Sequence, residues 1–101
     1  MNELPECFGA NLARCRRRLR LSQEDVAHRA SLHRTEVSGL ERGLRLPRLD
    51  TAVKLAAAVE AELGELVAGI SWACGDYRAG AFVPDGQSQP PPGRATSRRN
   101  R

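Results

Sequence analysis

The residues with the most specific chemistry lie between Gln23 and Arg42, in the stretch QEDVAHRASLHRTEVSGLER. Three consecutive side chains in it, those of Arg34, Thr35 and Glu36, carry a guanidinium, a hydroxyl with a methyl group, and a carboxylate. These groups suit guanine O6 and N7, a thymine methyl and cytosine N4, which are exposed in the major groove of DNA. The apolar residues of this stretch fit two short helices joined by a tight turn, with the second helix left polar on one side, so one face could be buried while the other reads DNA bases. We take base recognition as the first hypothesis for this stretch.

A strongly basic segment surrounds these residues. Between Arg14 and Arg48 there are ten arginines, no lysine and four acidic residues, which gives a net charge of +6. The flanking segments are acidic, with −2 over residues 1–13 and −3 over residues 49–83. Arginine favours bidentate contact with phosphate, and a localised basic segment is the electrostatic footprint of a nucleic-acid-binding face. For any one of these arginines, the alternative is an ordinary solvated surface residue.

Other chemistries lack the residues that they need. Cys15, His28 and His33 have the spacing of the second half of a zinc finger, but Cys7 lies too far before Cys15 to complete the first half. We therefore predict no metal site. The sequence contains no glycine-rich phosphate loop and no recognisable nucleophile, so we predict neither a cofactor nor an enzymatic activity. An odd number of cysteines at unpatterned spacings implies no disulfide framework.

Helical periodicity positions these residues and predicts an all-α fold with five helices. The first four helices are expected over residues 8–19, from residue 23 onwards, and over residues 33–42 and 49–59. A short fifth helix is expected to hold Leu63, Leu66 and Val67 and to finish near Gly69. Ser22 is expected to be an N-cap with Asp25 in the capping-box position, and Gly43 to end the third helix. The residues expected to face inwards are Phe8, Leu12, Cys15, Leu19, Val26, Ala27, Ala30, Val37, Leu40, Leu49, Val53, Leu55, Ala56, Val59, Leu63, Leu66 and Val67.

The last third of the chain differs in composition. Trp72, Tyr77 and Phe82 are three of its four aromatic residues, and from Pro84 onwards there is no apolar periodicity. We predict a helical domain over residues 1–70, an aromatic extension over 71–83 and a disordered basic tail over 84–101. No apolar run is long enough to span a membrane and the acidic start is not a signal peptide, so a soluble cytoplasmic protein is expected.

The segment from Phe8 to Ile70 resembles the XRE family, the phage-repressor and Cro type of helix-turn-helix domain. The resemblance rests on Gln23 after Ser22, on the small residue Ala27, and on the run SGLERG from Ser38 to Gly43 with its buried neighbour Val37. It implies a compact five-helix, lambda-repressor-like domain. It also implies a buried ion pair between Arg16 and Glu41 that ties helix 1 to helix 3. Three residues depart from the family pattern, namely Ser31 in place of the turn glycine, Glu60 in place of the glycine after helix 4, and Glu62 in place of a small polar cap.

The same resemblance assigns roles on the third helix, the recognition helix. Its exposed side is expected to carry the residues at base-reading positions, Arg34, Thr35, Glu36 and Gly39, although Gly39 offers no side chain. The residues expected to contact phosphates are Gln23, Ser38, Arg42, Arg45 and Arg48.

These expectations favour a sequence-specific DNA-binding transcriptional regulator that binds double-stranded DNA. Two alternatives stay open. One is an antitoxin or restriction-modification controller with the same domain. The other is a protein-interaction module that lacks specific DNA readout, which Gly39 and the missing turn glycine would favour. We also expect a homodimer in which the aromatic segment from Trp72 to Phe82 completes the interface. In the alternative, Trp72 folds back onto helices 1 and 5 of its own subunit.

Overall fold

The structure, a computed structural model, describes residues 3–75 and 80–84. It confirms the predicted five-helix fold and adds a small hairpin after the helices. The chain divides after Ala68 into two compact units, one helical and one containing the hairpin. The helices are α1 (Glu3–Arg18), α2 (Gln23–Ala30), α3 (Arg34–Glu41), α4 (Leu49–Ala58) and α5 (Leu63–Leu66), and the strands are β1 (Ile70–Ala73) and β2 (Ala81–Pro84).

Each of the four longer helices contributes an apolar stripe to one core, as the periodicity predicts. The side chains of Leu12, Val26, Val37 and Leu55 are completely buried at its centre. Leu63 is partly buried and packs against this core. The other buried members of the cluster are Phe8, Cys15, Ala27, Ala30, Leu40, Ala52, Ala56, Ala58, Val59 and Leu66.

Two predicted core positions of α4 are wrong. Leu49 is 72% exposed and Val53 is 52% exposed. The core-facing side of α4 contains the fully buried Leu55, and a rotation of about 100° per residue places Leu49 about 120° and Val53 about 160° away from it, so both point away from the core. Val67 follows the last turn of α5 and is also exposed.

Four helices end in the same hydrogen-bonded motif. After α2, the Leu32 amide donates to Ala27 O (2.8 Å) and the Ser31 amide donates to His28 O (3.3 Å), which is the Schellman pattern. Each of these ends has one residue in the left-handed conformation, and at the end of α3 that residue is a glycine, Gly43. At the other three ends it is Arg20 (φ 60°), Ser31 (φ 58°) or Glu60 (φ 55°). The two departures from the family's glycines therefore keep the backbone conformation that glycine would adopt.

The predicted capping box at the start of α2 is confirmed. The Asp25 amide donates to Ser22 Oγ (2.9 Å), and the Ser22 amide donates to Asp25 Oδ2 (2.8 Å). Hydrogen bonds from the backbone and side chain of Ser22 stabilise the charged carboxylate and lower the pKa of Asp25. The start of α2 is therefore fixed by its own sequence.

A buried amide connects α1 to the end of α5. Asn11 is 5% exposed, and its Nδ2 donates to Leu66 O (3.0 Å) and to Ala68 O (2.8 Å). Cys7 Sγ lies one turn away, 3.4 Å from the same Ala68 oxygen. These bonds give the carbonyls of Leu66, the last residue of α5, and of Ala68, just after it, a partner in α1. Nothing in the sequence pattern indicated this contact of Asn11.

The hairpin was not predicted from the sequence. Strands β1 and β2 are antiparallel with Trp72 opposite Phe82, and the two rings pack edge to face with centroids 4.9 Å apart. The Trp72 ring lies against Gly80, where a Cβ atom would overlap it. Pro84, at the predicted start of the tail, pairs with Ile70 in this hairpin. Tyr77 and the rest of the predicted tail, residues 85–101, lie outside the described residues.

Within residues 3–75 and 80–84, none of the helices combines the length and apolar character needed to cross a membrane.

Candidate nucleic-acid interface

Helix α3 is held by α1 and α2 through its inner side. Val37 and Leu40 are fully buried there. Gly9 of α1 packs directly against the end of α3, since a Cβ atom at this position would collide with the Leu40 carbonyl and lie 2.7 Å from the Glu41 carbonyl oxygen. The absence of a side chain at Gly9 is therefore what allows the two helices to approach so closely. A glycine inside a helical apolar pattern is a signal in the sequence from which this contact could have been predicted.

A buried ion pair joins α1 to the last turn of α3, as the resemblance implied. Arg16 Nε donates to Glu41 Oε2 (2.6 Å) and Arg16 Nη2 donates to Glu41 Oε1 (2.9 Å), a bidentate geometry. The two side chains are only 13% and 5% exposed. Hydrogen bonding to Glu41 raises the pKa of Arg16, so the guanidinium keeps its charge. Arg16 Nη1 also donates to Leu21 O (2.9 Å), which ties the α1–α2 loop to the same pair.

Gln23 belongs to this network as well, which the sequence did not indicate. Its Nε2 donates to Glu41 Oε1 (2.9 Å). Because a carboxylate only accepts hydrogen bonds, the amide must turn its nitrogen towards Glu41. One Nε2 hydrogen remains for a further acceptor, so the bond to Glu41 orients Gln23 without using all of its donors.

The outward side of α3 carries most of the predicted contact residues. Arg34, Thr35 and Arg42 are exposed, while Glu36 and Ser38 are partly buried. Thr35 and Arg42 lie seven residues apart, which is about two helical turns, and so occupy the same side of the helix. His33 is the N-cap residue of α3 but makes no side-chain capping bond.

The expected exposure of Gly39 is wrong. Gly39 is buried even though it lies on the outward side of α3, four residues after Thr35. It is covered by the guanidinium of Arg45, whose Nη1 lies 3.1 Å from the place where a Cβ atom of Gly39 would be. The loop after α3 therefore brings Arg45 back over this helix, and the space beside Gly39 is occupied by the Arg45 side chain.

Arg48 lies at the far end of the same loop. It is the N-cap residue of α4, its side chain is 86% exposed, and its Nε lies 3.5 Å from Asp50 Oδ1. An ion pair between two exposed groups at this distance constrains an arginine only weakly. Arg48 is therefore accessible to a phosphate, as is Arg42.

The residues considered for zinc do not converge. Cys15 is buried in the core, whereas His28 and His33 are exposed on either side of the α2–α3 turn. Within the described part of the chain, no group of three or more metal-ligating side chains comes together.

Comparison with known proteins finds relatives of the helical unit. A family model described as Helix-turn-helix matches residues 12–66. The HTH-type transcriptional regulator y4dJ from Sinorhizobium fredii is 38% identical over 65 residues, which are 64% of this chain and 84% of that protein.

Two solved structures are also similar over the helical unit. The restriction-modification controller protein C.AhdI from Aeromonas hydrophila is 40% identical, with a TM-score of 0.60 over 61% of this chain and 94% of its own. The hypothetical transcription factor NHTF from Neisseria is 31% identical, with a TM-score of 0.61 over 63% and 74%. These similarities point to a regulator rather than to an enzyme. The chain belongs to the XRE-type helix-turn-helix family of DNA-binding regulators.

Proposed function

We propose that this protein is a sequence-specific transcriptional regulator that inserts α3 into the major groove of double-stranded DNA. The observation that supports this most directly is the division of α3 into two sides. Its inner side is fixed by Val37, Leu40 and the buried Arg16–Glu41 pair, and its outer side presents polar groups to solvent. A helix held in this way can present the same side chains to every base pair that it meets.

The base-reading residues in this proposal are Arg34, Thr35 and Glu36, with Gly39 as a position without a side chain. Arg34 is the main reader, because it is exposed in the first turn of the helix, the part that enters the groove most deeply in this motif. Its guanidinium can bind guanine O6 and N7 together. Thr35 and Glu36 suit a thymine methyl and cytosine N4.

The phosphate contacts come from residues around the base-reading helix. Arg42 and Arg48 are exposed at two ends of the α3–α4 loop, and Gln23 at the start of α2 keeps a free amide hydrogen. Ser38 and Arg45 complete the set predicted from the sequence. Neutralisation of several phosphates makes binding strongly dependent on salt.

The test is a selection of bound duplexes from random DNA with the full-length protein, followed by affinity measurements on the selected duplex. Arg34→Ala should cost about 1–3 kcal/mol and relax preference at one base position, whereas Arg42→Ala should weaken binding to all sequences alike. If both variants lose affinity uniformly, Arg34 does not read a base. If no duplex is enriched, the protein lacks specific readout.

We also propose that the protein binds DNA as a homodimer through the hairpin. Trp72 is 49% exposed and Phe82 is 57% exposed, which is unusual for large aromatic rings that pack on each other. Aromatic residues of this kind are enriched in interface cores. Deletion of residues 71–101, or the double change Trp72→Ser and Phe82→Ser, should give a monomer in sedimentation that keeps its helical circular dichroism. A full-length protein that is monomeric at tens of micromolar would exclude the dimer.

A second candidate function is control of a restriction-modification system. It is favoured by the 40% identity to C.AhdI, a protein described as such a controller. A methyltransferase or restriction-enzyme gene adjacent to the gene for this protein would support this role. Binding of the purified protein upstream of that gene would be the direct measurement.

A further inference from the structure

We propose that Arg45 reads a base, and that Gly39 provides the space in which its guanidinium lies. Arg45 was expected to contact a phosphate, and a base contact is a different role. This role rests on the proposed function, since it requires that α3 enters the major groove.

The Arg45 guanidinium lies directly over Gly39. A Cβ atom built on Gly39 would lie 3.1 Å from Arg45 Nη1 and 3.5 Å from both Cζ and Nη2. All three atoms belong to the guanidinium, so the head group rather than the aliphatic stem covers Gly39. Any side chain longer than alanine at position 39 would need the volume that this head group now fills.

The contact with Arg45 lies on the side of α3 that carries Thr35. Gly39 follows Thr35 by four residues, so the two positions are neighbours on one side of α3 with Cβ positions about 5–6 Å apart. Thr35 is one of the proposed base readers. The Arg45 guanidinium therefore lies one turn beyond Thr35, on the side of α3 that faces the bases in the proposed function.

The Arg45 guanidinium has hydrogen-bond donors that can contact an external acceptor. Within residues 3–75 and 80–84, no ion pair or hydrogen bond engages its guanidinium, whereas those of Arg16 and Arg48 face Glu41 and Asp50. The donors of Arg45 are free for an external acceptor. A guanidinium at this position matches the O6 and N7 acceptors of guanine, which it can bind together. We infer that the base read by Arg45 is a guanine adjacent to the bases read by Arg34 and Thr35.

The experiment compares full-length variants on the duplex selected by the wild-type protein and on all of its single-base changes. Arg45→Ala should lose preference for guanine at one position by about 5- to 150-fold. Arg45→Lys keeps the charge but not the planar fork, so it should lose the same preference with an unchanged salt slope. Gly39→Leu should reproduce the loss at the same base pair, because leucine displaces the guanidinium from its place.

Arg48→Ala is the matched control, because Arg48 is an exposed arginine of the same loop that does not contact Gly39. It should weaken every duplex equally and lower the salt slope by about one. If Arg45→Ala behaves in the same way and keeps all base preferences, Arg45 contacts a phosphate and the inference is wrong. If the Arg45 variants lose the preference for guanine but Gly39→Leu keeps it, the proposed role of Gly39 is wrong. If the wild-type protein selects no duplex, both the proposed function and this inference are wrong.

Discussion

Helix α3 and helices α4 and α5 are held in the fold by ion pairs of very different character. Glu41 of α3 is paired with Arg16 in a site that is almost closed to solvent. The pairs near α4 and α5 are exposed. Arg18 and Glu65 are 50% and 44% exposed, and Arg29 and Glu60 are 41% and 61% exposed. Among the ion pairs of the described residues, the one that holds the proposed reading helix is therefore buried and the others are exposed.

The difference follows from what each contact must specify. Apolar packing alone allows a helix to rotate slightly or shift along its axis at small cost. A bidentate pair between Arg16 and Glu41, with Gln23 on the same carboxylate, has only one satisfactory geometry. It therefore fixes the rotation of α3, and with it the direction of Arg34 and Thr35.

The largest effect is expected from Glu41→Ala. This change leaves the nearly buried Arg16 without its partner, and breaking a buried pair in this way costs about 3–5 kcal/mol. A helical unit of this size has little more stability than that, so the variant should be largely unfolded in a thermal melt.

The matched control is Glu65→Ala, which breaks the exposed pair with Arg18. It should cost less than about 1 kcal/mol, because exposed ion pairs are weak and screened by salt. A Glu41→Ala variant that melts within a few degrees of Glu65→Ala would remove the distinction between the two regions.

The next effect concerns the backbone contact between α1 and α3. Gly9→Ala introduces a Cβ atom into the Leu40 and Glu41 carbonyls, and since backbone cannot yield as a side chain does, the helices must separate. Overpacking of this kind costs about 1–3 kcal/mol. Gly64→Ala in α5 is the control, because a Cβ atom there meets nothing within 4 Å. It should be neutral or stabilising, and chemical denaturation of both variants measures the difference.

Sequence reasoning was most successful where the pattern is local. The inward stripe Val26, Ala27 and Ala30 and the Ser22–Asp25 capping box depend only on helical spacing, and the structure confirms them. The Arg16–Glu41 pair came from the family resemblance rather than from spacing. These features define the fold and the side of α3 that is buried.

The parts that could not be predicted depend on the path of a loop or on one side chain's choice of partner. Nothing local indicates that Arg45 returns over Gly39 or that Gln23 binds Glu41, because both contacts arise only after the helices have packed. Leu49 satisfied the apolar pattern of α4 but lies at the helix start, where the core does not reach it. The hairpin was missed because its four-residue strands are too short to show alternation.

A smaller effect is expected at the cap that starts α2. Ser22→Ala removes the hydroxyl that accepts from the Asp25 amide and should cost about 0.5–2 kcal/mol.

The same capping box should make stability depend on pH. The pKa of Asp25 is lowered in the folded state, so the contribution of its carboxylate to the free energy of unfolding is present above the unfolded pKa of about 4 and is lost as pH falls through the folded pKa. The stability difference between the wild-type protein and Asp25→Asn, followed by urea denaturation, should therefore shrink as the pH falls below about 4. A difference that does not change with pH would mean that the carboxylate is not bound as described.

The smallest effect separates the two turns that lack the family's glycine. Ser31 and Glu60 adopt nearly the same left-handed conformation, with φ of 58° and 55°. Ser31→Gly removes steric strain of about 1–2 kcal/mol but makes the unfolded chain more flexible, so a net gain in stability below about 1 kcal/mol is expected.

Glu60→Gly removes the same strain but also the exposed pair with Arg29, while the bond from Arg29 Nη1 to Ala58 O (2.8 Å) stays. Its gain should be smaller than that of Ser31→Gly by the few tenths of a kcal/mol that an exposed pair contributes. Equal gains would show that the Arg29–Glu60 pair contributes nothing, and a loss at Ser31 would show that its side chain stabilises the turn.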